Sequence, residues 1–160
     1  MINLKKYPLA LQLLMKTDGT VTELIKLLAG EEVQVVKLSE KLISKNNERI
    51  LIREIFLQGA ITSKNWLHAY STIYLDNLPK EFVDDLLKQS IPIGTLWTNY
   101  RIETFKLLID QKEDLLSENI GKDFKKGDKI LSRIYQVINA QKIIMEITEK
   151  FSVTKYQNLL

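Results

Sequence analysis

RILIREIFLQ, residues 49–58, and WLHAYSTIYL, residues 66–75, are the two stretches on which the fold class of this chain turns. Both are dense in β-branched, aromatic and other apolar residues, the composition of strands in a pleated, half-buried surface. The short loop Gly59 to Lys64 joins them, so they read as antiparallel neighbours in a sheet. Upstream, Val33 and Val35 alternate with polar residues after Glu32, which predicts another strand, and Asn46-Asn47 turns that chain back. Downstream, Ile130 to Ile138 and Ile143 to Phe151 read as a closing hairpin across Asn139-Ala140-Gln141-Lys142.

Helical patterns surround these strands. Leu9 to Met15 and Val21 to Leu28 read as two short helices separated by Asp18-Gly19. Thr20 and Glu23 have the capping-box spacing, and Gly30 is a natural helix stop. Leu78-Pro79-Lys80 opens a third helix with Phe82, Leu86 and Leu87 on one face, followed by the Pro/Gly-punctuated segment Ile91 to Trp97. In Tyr100 to Ile109 the spacing of Ile102, Phe105, Leu108 and Ile109 favours helix over strand. Asp114 to Lys129 is polar and reads as a loop. The predicted class is α+β, an antiparallel sheet with helices packed on it, and residues 1–160 are the length of one domain.

Composition narrows the chemistry. A balance of 23 basic and 20 acidic side chains is too even for a nucleic-acid or polybasic membrane surface. There is one histidine, His68, and no cysteine, which excludes disulfide scaffolds, thiolate metal sites, cysteine nucleophiles and multi-histidine metal centres. The N-terminal run Pro8 to Met15 follows two lysines but contains Gln12 and ends in Lys16-Thr17-Asp18, unlike a cleavable signal. No segment approaches the roughly 18 to 20 apolar residues of a membrane span. The expectation is a soluble, cytoplasmic protein with no membrane or nucleic-acid partner.

Phosphate-loop, zinc-protease and nucleophile-elbow motifs are all missing. GKDFKKGD, residues 121–128, reads as a solvated loop, not a phosphate cradle. The one local anomaly is Arg53, which shares its strand face with Leu51, Ile55 and Leu57. A cation there is costly to bury unless an anion meets it, and the anion is either an internal carboxylate or a ligand.

The order DGTVTELIKLLAGEEVQV, LIREIFL, WLHAYSTIYL, PIGTLW and SRIYQVINAQKIIMEITEKF, spanning Asp18 to Phe151, resembles the chorismate lyase family. The resemblance implies a six-stranded antiparallel sheet with helices over an internal ligand cavity, and strand for at least part of the segment after PIGTLW. It implies elimination of pyruvate from chorismate to give 4-hydroxybenzoate with no cofactor and no metal, since aromatisation drives the reaction. The partner it implies is a small molecule, chorismate or a related carboxylate.

Residue by residue, Arg53 in LIREI matches the family arginine that pairs with a ligand carboxylate, and Glu149 in ITEKF matches the glutamate that meets the ring hydroxyl. These two are the catalytic candidates. Parity places Glu149 with Ile143, Met145, Ile147 and Phe151, with Glu146 on the opposite face. Ile93 in PIG matches a backbone ligand contact, and Val21 matches a flap residue lining the cavity. Tyr70 in WLHAYST stands where the family has a second arginine and is a substrate-binding candidate that can donate one hydrogen bond but carries no charge, leaving one substrate carboxylate in need of a cation; Arg101 and Arg133 are the alternatives. His68 shares Tyr70's parity and reads as a structural or surface histidine. Two other functions fit the same fold: a non-catalytic module that binds an aromatic carboxylate, and a lyase acting on a different cyclic carboxylate.

Overall fold

The computed structural model describes residues 2–88 and 92–159, so Ile91 lies outside the described residues. The strands β1 (Val33–Lys45), β2 (Glu48–Gly59), β3 (Asn65–Tyr74), β4 (Phe105–Leu115), β5 (Lys129–Asn139) and β6 (Lys142–Ser152) form one six-stranded antiparallel sheet. Its order, β1-β2-β3-β6-β5-β4, joins two three-stranded meanders through their last strands. The helices are α1 (Leu9–Lys16), α2 (Val21–Ala29), α3 (Lys80–Lys88), α4 (Ile93–Asn99) and α5 (Val153–Tyr156). The α+β class and the antiparallel sheet are as the sequence predicts.

Two hairpin turns set the registers. Asn46 and Asn47 adopt φ of 53° and 62°, and Ala140 and Gln141 adopt 48° and 66°. Paired left-handed residues match the twist of the flanking strands, which is why two-residue hairpins favour them. Gly30, at φ 69°, ends α2 in the left-handed cap the sequence predicts.

One face of the sheet carries the main core. Leu51, Ile55 and Leu57 of β2 and Leu67, Ala69 and Ile73 of β3 are buried there, beside Met145, Ile147 and Phe151 of β6. Helix residues Leu11, Leu14, Ile25, Phe82 and Leu86 close over them. Each such side chain contributes about 1.5–3 kcal/mol by leaving water. Phe82 of α3 stacks on Trp97 of α4 with ring centroids 4.6 Å apart, which ties the two helices together. On the other face a small cluster of Phe56, Leu116, Phe124 and Ile130 forms under the loop before β5. Phe124 is the reason GKDFKKGD folds down there, with its lysines left in solvent.

Four expectations need correction. The segment after α4 is not helix: Arg101 turns left-handed at φ 50°, and β4 begins at Phe105. Its apolar side chains misled because Phe105, Leu107, Leu108 and Ile109 form no buried stripe; each is about half exposed on an edge strand. The capping box does not form. Thr20 makes no side-chain cap bond, its methyl lies against Gly94, and Glu23 pairs instead with Lys26 at 3.3 Å. Leu87 stays exposed while Phe82 and Leu86 are buried. A bulge opposite Val137/Ile138 turns Ile143 out to solvent and buries Ile144, so the expected parity of β6 holds only from Met145 onward.

Glu31 ties the loop after β2 to the end of α2. Its carboxylate accepts hydrogen bonds from the Ile61 and Thr62 amides at 2.8 and 3.0 Å and from the Thr62 hydroxyl at 2.6 Å. Burial opposes its ionisation, but the bonds from Thr62, Ile61 and Trp66 outweigh that and hold its pKa at about 2. A Cβ on Gly59 would meet this carboxylate at 2.4 Å, which explains the glycine at the end of β2. With a folded pKa below the unfolded one, the stabilisation is full above the ordinary carboxylate range and is lost as pH falls toward about 2. Glu31→Gln is therefore expected to lower the urea midpoint at pH 7 and to lie much closer to the unsubstituted protein near pH 2. Equal gaps at both pH values would show that the charge contributes nothing.

Candidate active site

A cavity of about 190 Å³ lies between the helix-bearing face of the sheet and the starts of α2 and α4. That is below the range of drug-sized pockets, about 300–1,000 Å³, and suits a ligand of one ring. Its floor is apolar: Ile55, Leu57, Leu67, Ala69 and Ile147. Val21 and Ile93 face it from the two helix starts, where Gly94 lets α4 approach so closely that a Cβ would lie 2.6 Å from the Thr20 methyl.

The polar groups gather at one end. Glu149 is 3 % exposed and lines the cavity from β6. The sheet register puts it between Ala69 of β3 and Arg133 of β5. Arg133 donates from Nε to Glu149 Oε1 at 2.8 Å and from Nη1 to the Thr17 carbonyl at 2.7 Å. Tyr135, one pleat along β5, donates its hydroxyl to Glu149 Oε2 at 3.1 Å. Burial, reinforced by the Glu149 charge, pushes the Tyr135 pKa well above its usual value, so it remains a neutral donor. Lys106 of β4 completes this end, its Nζ donating to the Gly19 carbonyl at 2.6 Å and lying over the Tyr135 ring. Desolvation draws its pKa down.

Of the residues singled out from sequence, the structure brings Glu149, Val21 and Ile93 around one cavity. Arg53 is not among the residues lining that cavity; it is on the same face of the sheet one pleat beyond Ile55, opposite Ser71, and is 2 % exposed. Its nearest carboxylate is Glu40 of β1, at 3.6 Å from Nε, and Nε and Nη2 have no hydrogen-bond partner among the described residues. The internal anion is therefore a loose one. Burial lowers the Arg53 pKa against the pull of Glu40, the signature of a cation short of a partner.

Tyr70 does not join the cavity. It lies on the opposite face of the sheet, 45 % exposed, so the missing arginine at that position leaves no gap in the cavity wall. His68 lies on that far face too, bonded to Glu54 at 2.8 Å beside Phe56 and Phe124; burial lowers its pKa, so it is a structural histidine. Arg101 is exposed. Lys106 and Tyr135 escaped the sequence reading. Tyr135 alternates with Arg133 and Val137 on one strand face, a legible signal, whereas Lys106 was hidden by the helical reading of its segment.

Among the described residues no helix is long and apolar enough to cross a membrane, and no three His, Asp or Glu converge to hold a metal ion.

Comparison with known proteins adds an independent line. The family model described as chorismate pyruvate-lyase Rv2949c-like matches residues 15–159. The chorismate pyruvate-lyase of Mycobacterium tuberculosis is 29 % identical over 158 residues, covering 88 % of this chain and 78 % of its own. The MJ0807 protein of Methanocaldococcus jannaschii is also 29 % identical over 158 residues, covering 93 % of this chain and 82 % of its own. Among solved structures, the SA0254 gene product of Staphylococcus aureus superposes with a TM-score of 0.61 at 15 % identity, covering 90 % of this chain and 94 % of that one. The effector domain of PhnF from Mycobacterium smegmatis gives 0.62 at 10 % identity, covering 86 % and 90 %. At such identities these two likenesses speak to the fold.

Proposed function

Because this chain belongs to the chorismate pyruvate-lyase Rv2949c-like family, we propose that its cavity binds chorismate and releases pyruvate, leaving 4-hydroxybenzoate. In this elimination the ether bond to the ring breaks and a hydrogen leaves the neighbouring, hydroxyl-bearing ring carbon. The departing enolpyruvate gains a proton on its methylene carbon and becomes pyruvate. The ring becomes aromatic, so the protein's task is to orient the substrate, balance its charges and exclude water.

The observation that carries this reading is Glu149, a buried carboxylate at the polar end of a single-ring cavity whose floor is apolar. Arg133 and Tyr135 hold it in place and leave it lone pairs to accept from the ring hydroxyl. That hydroxyl grows more acidic as the ring turns into a phenol. The bond to Glu149 therefore strengthens toward the transition state, which is the condition for acceleration. Arg53, one pleat beyond the cavity floor at Ile55 and with two nitrogens unpartnered among the described residues, is the proposed cation for the ring carboxylate. Val21 and Ile93 confine the ring.

Incubating the protein with chorismate and following pyruvate and 4-hydroxybenzoate tests the assignment. No product above the uncatalysed rate, with tight 4-hydroxybenzoate binding intact, would replace the lyase reading with that of a binding module. Arg53→Ala is expected to weaken 4-hydroxybenzoate binding about tenfold to a hundredfold, the worth of a charge-assisted bond. An unchanged affinity in titration calorimetry would return Arg53 to a purely structural role.

A further inference from the structure

A second, smaller cavity of about 80 Å³ adjoins the first and shares Asp18, Lys106 and Tyr135 with it. Arg133 lines this side lobe, and its Nη2 is buried without a hydrogen-bond partner among the described residues. Lys106 has no carboxylate within 4.0 Å among the described residues; its bonded partner is the neutral Gly19 carbonyl. The titratable groups lining the lobe are Lys16, Asp18, Lys106, Arg133 and Tyr135, with Glu149 of the first cavity bonded to the last two. Glu149 is already matched by Arg133, and Asp18 and Lys16 are exposed at the rim. Lys106 is thus the cation at the junction of the two lobes: it feels the Glu149 and Asp18 charges but forms an ion pair with neither.

We propose that Lys106, together with Nη2 of Arg133, forms a second anion subsite that takes the carboxylate of the three-carbon side chain of the substrate. This rests on the lyase reading and extends it to the substrate's other charge. The placement follows from the connectivity of chorismate. Its ring carboxylate and ring hydroxyl lie at opposite ends of the ring, and the ether oxygen is on the carbon next to the hydroxyl. With the hydroxyl at Glu149, the side chain must project at the Glu149 end, where Lys106 and Arg133 stand. Arg53 lines neither lobe; it stands on β2 one pleat beyond Ile55, away from this group. The side lobe is also the space into which the severed three-carbon acid first moves.

The subsite makes a distinction that a general loss of packing does not. Chorismate carries the side-chain carboxylate; 4-hydroxybenzoate lacks it. Lys106→Met, which keeps the length of the side chain and removes its charge, is expected to weaken chorismate binding about tenfold to a hundredfold. It is expected to change 4-hydroxybenzoate affinity less than twofold. Chorismate binding is measured by calorimetry in a Glu149→Gln background so that the ligand is not consumed, with Lys106→Gln as a second variant should Lys106→Met not fold. Equal losses for both ligands, or no loss for either, would overturn the subsite. Absence of turnover in the unsubstituted protein strikes the lyase reading instead. The calorimetric contrast between the two ligands still decides the subsite in that case.

Discussion

Glu149→Gln is expected to lower kcat for chorismate by about two to three orders of magnitude while 4-hydroxybenzoate affinity changes far less. The substitution keeps the size of the side chain and an oxygen able to accept from Tyr135, but removes the charge. A neutral amide still offers one oxygen to the ring hydroxyl, although its NH2 now meets a donor and Arg133 loses its counter-charge. The amide gains much less as that hydroxyl acquires phenolic acidity, so the loss falls on the transition state and not on the ground state. Glu149 is 3 % exposed, and burial shields its bonds from competing water. Single-turnover kinetics separate the chemical step from product release. An unchanged rate in that measurement would remove Glu149 from the mechanism.

The second large effect concerns stability. Arg133 and Glu149 form an ion pair at 2.8 Å with both side chains about 4 % exposed. Removing one member strands the other charge in a poorly solvated place, at a cost of about 3–5 kcal/mol. Arg133→Met and Glu149→Leu are each expected to lose that much in urea unfolding. The double variant should recover most of it, because no isolated charge is left to bury. The pair would then show a coupling of a few kcal/mol in a double-mutant cycle. Simple additivity would mean that the two residues do not stabilise the sheet through each other. Recovery in the double variant would mean that the ion pair is not what stabilises the sheet, and would fit the proposed role of Glu149 in receiving a substrate hydroxyl.

The strands legible in the sequence were those whose residue types and burial agree. RILIREIFLQ and WLHAYSTIYL are strands in the structure because alternate residues meet a real core. FKLLIDQ carried the same apolar content without burial, and pattern alone could not separate an exposed edge strand from a helix. For the site, parity put Glu149 on the inner face, and the structure buries it there. Its pairing with Arg133 was out of reach. Counting back from the Ala140-Gln141 turn in strict register sets Arg133 opposite Thr148; the extra residue of the bulge slides it onto Glu149. A bulge depends on packing on both faces of the sheet and leaves little trace in local composition. Tyr70 illustrates the opposite failure. Matching short motifs placed it in the cavity, although its parity with His68, and against Ala69, already set it on the other face.

The order of strands carries a consequence for how the protein is made. β3 and β6 meet at the middle of the sheet, from His68 opposite Lys150 to Ile73 opposite Met145. A ribosome delivers the first meander long before the strand that pairs with its inner border. Until Lys142–Ser152 emerges, β3 presents a bare, largely apolar edge that any other nascent chain can pair with. The most vulnerable interval in the life of this molecule therefore falls before its centre exists, and a chaperone that shields β3 would act in that interval.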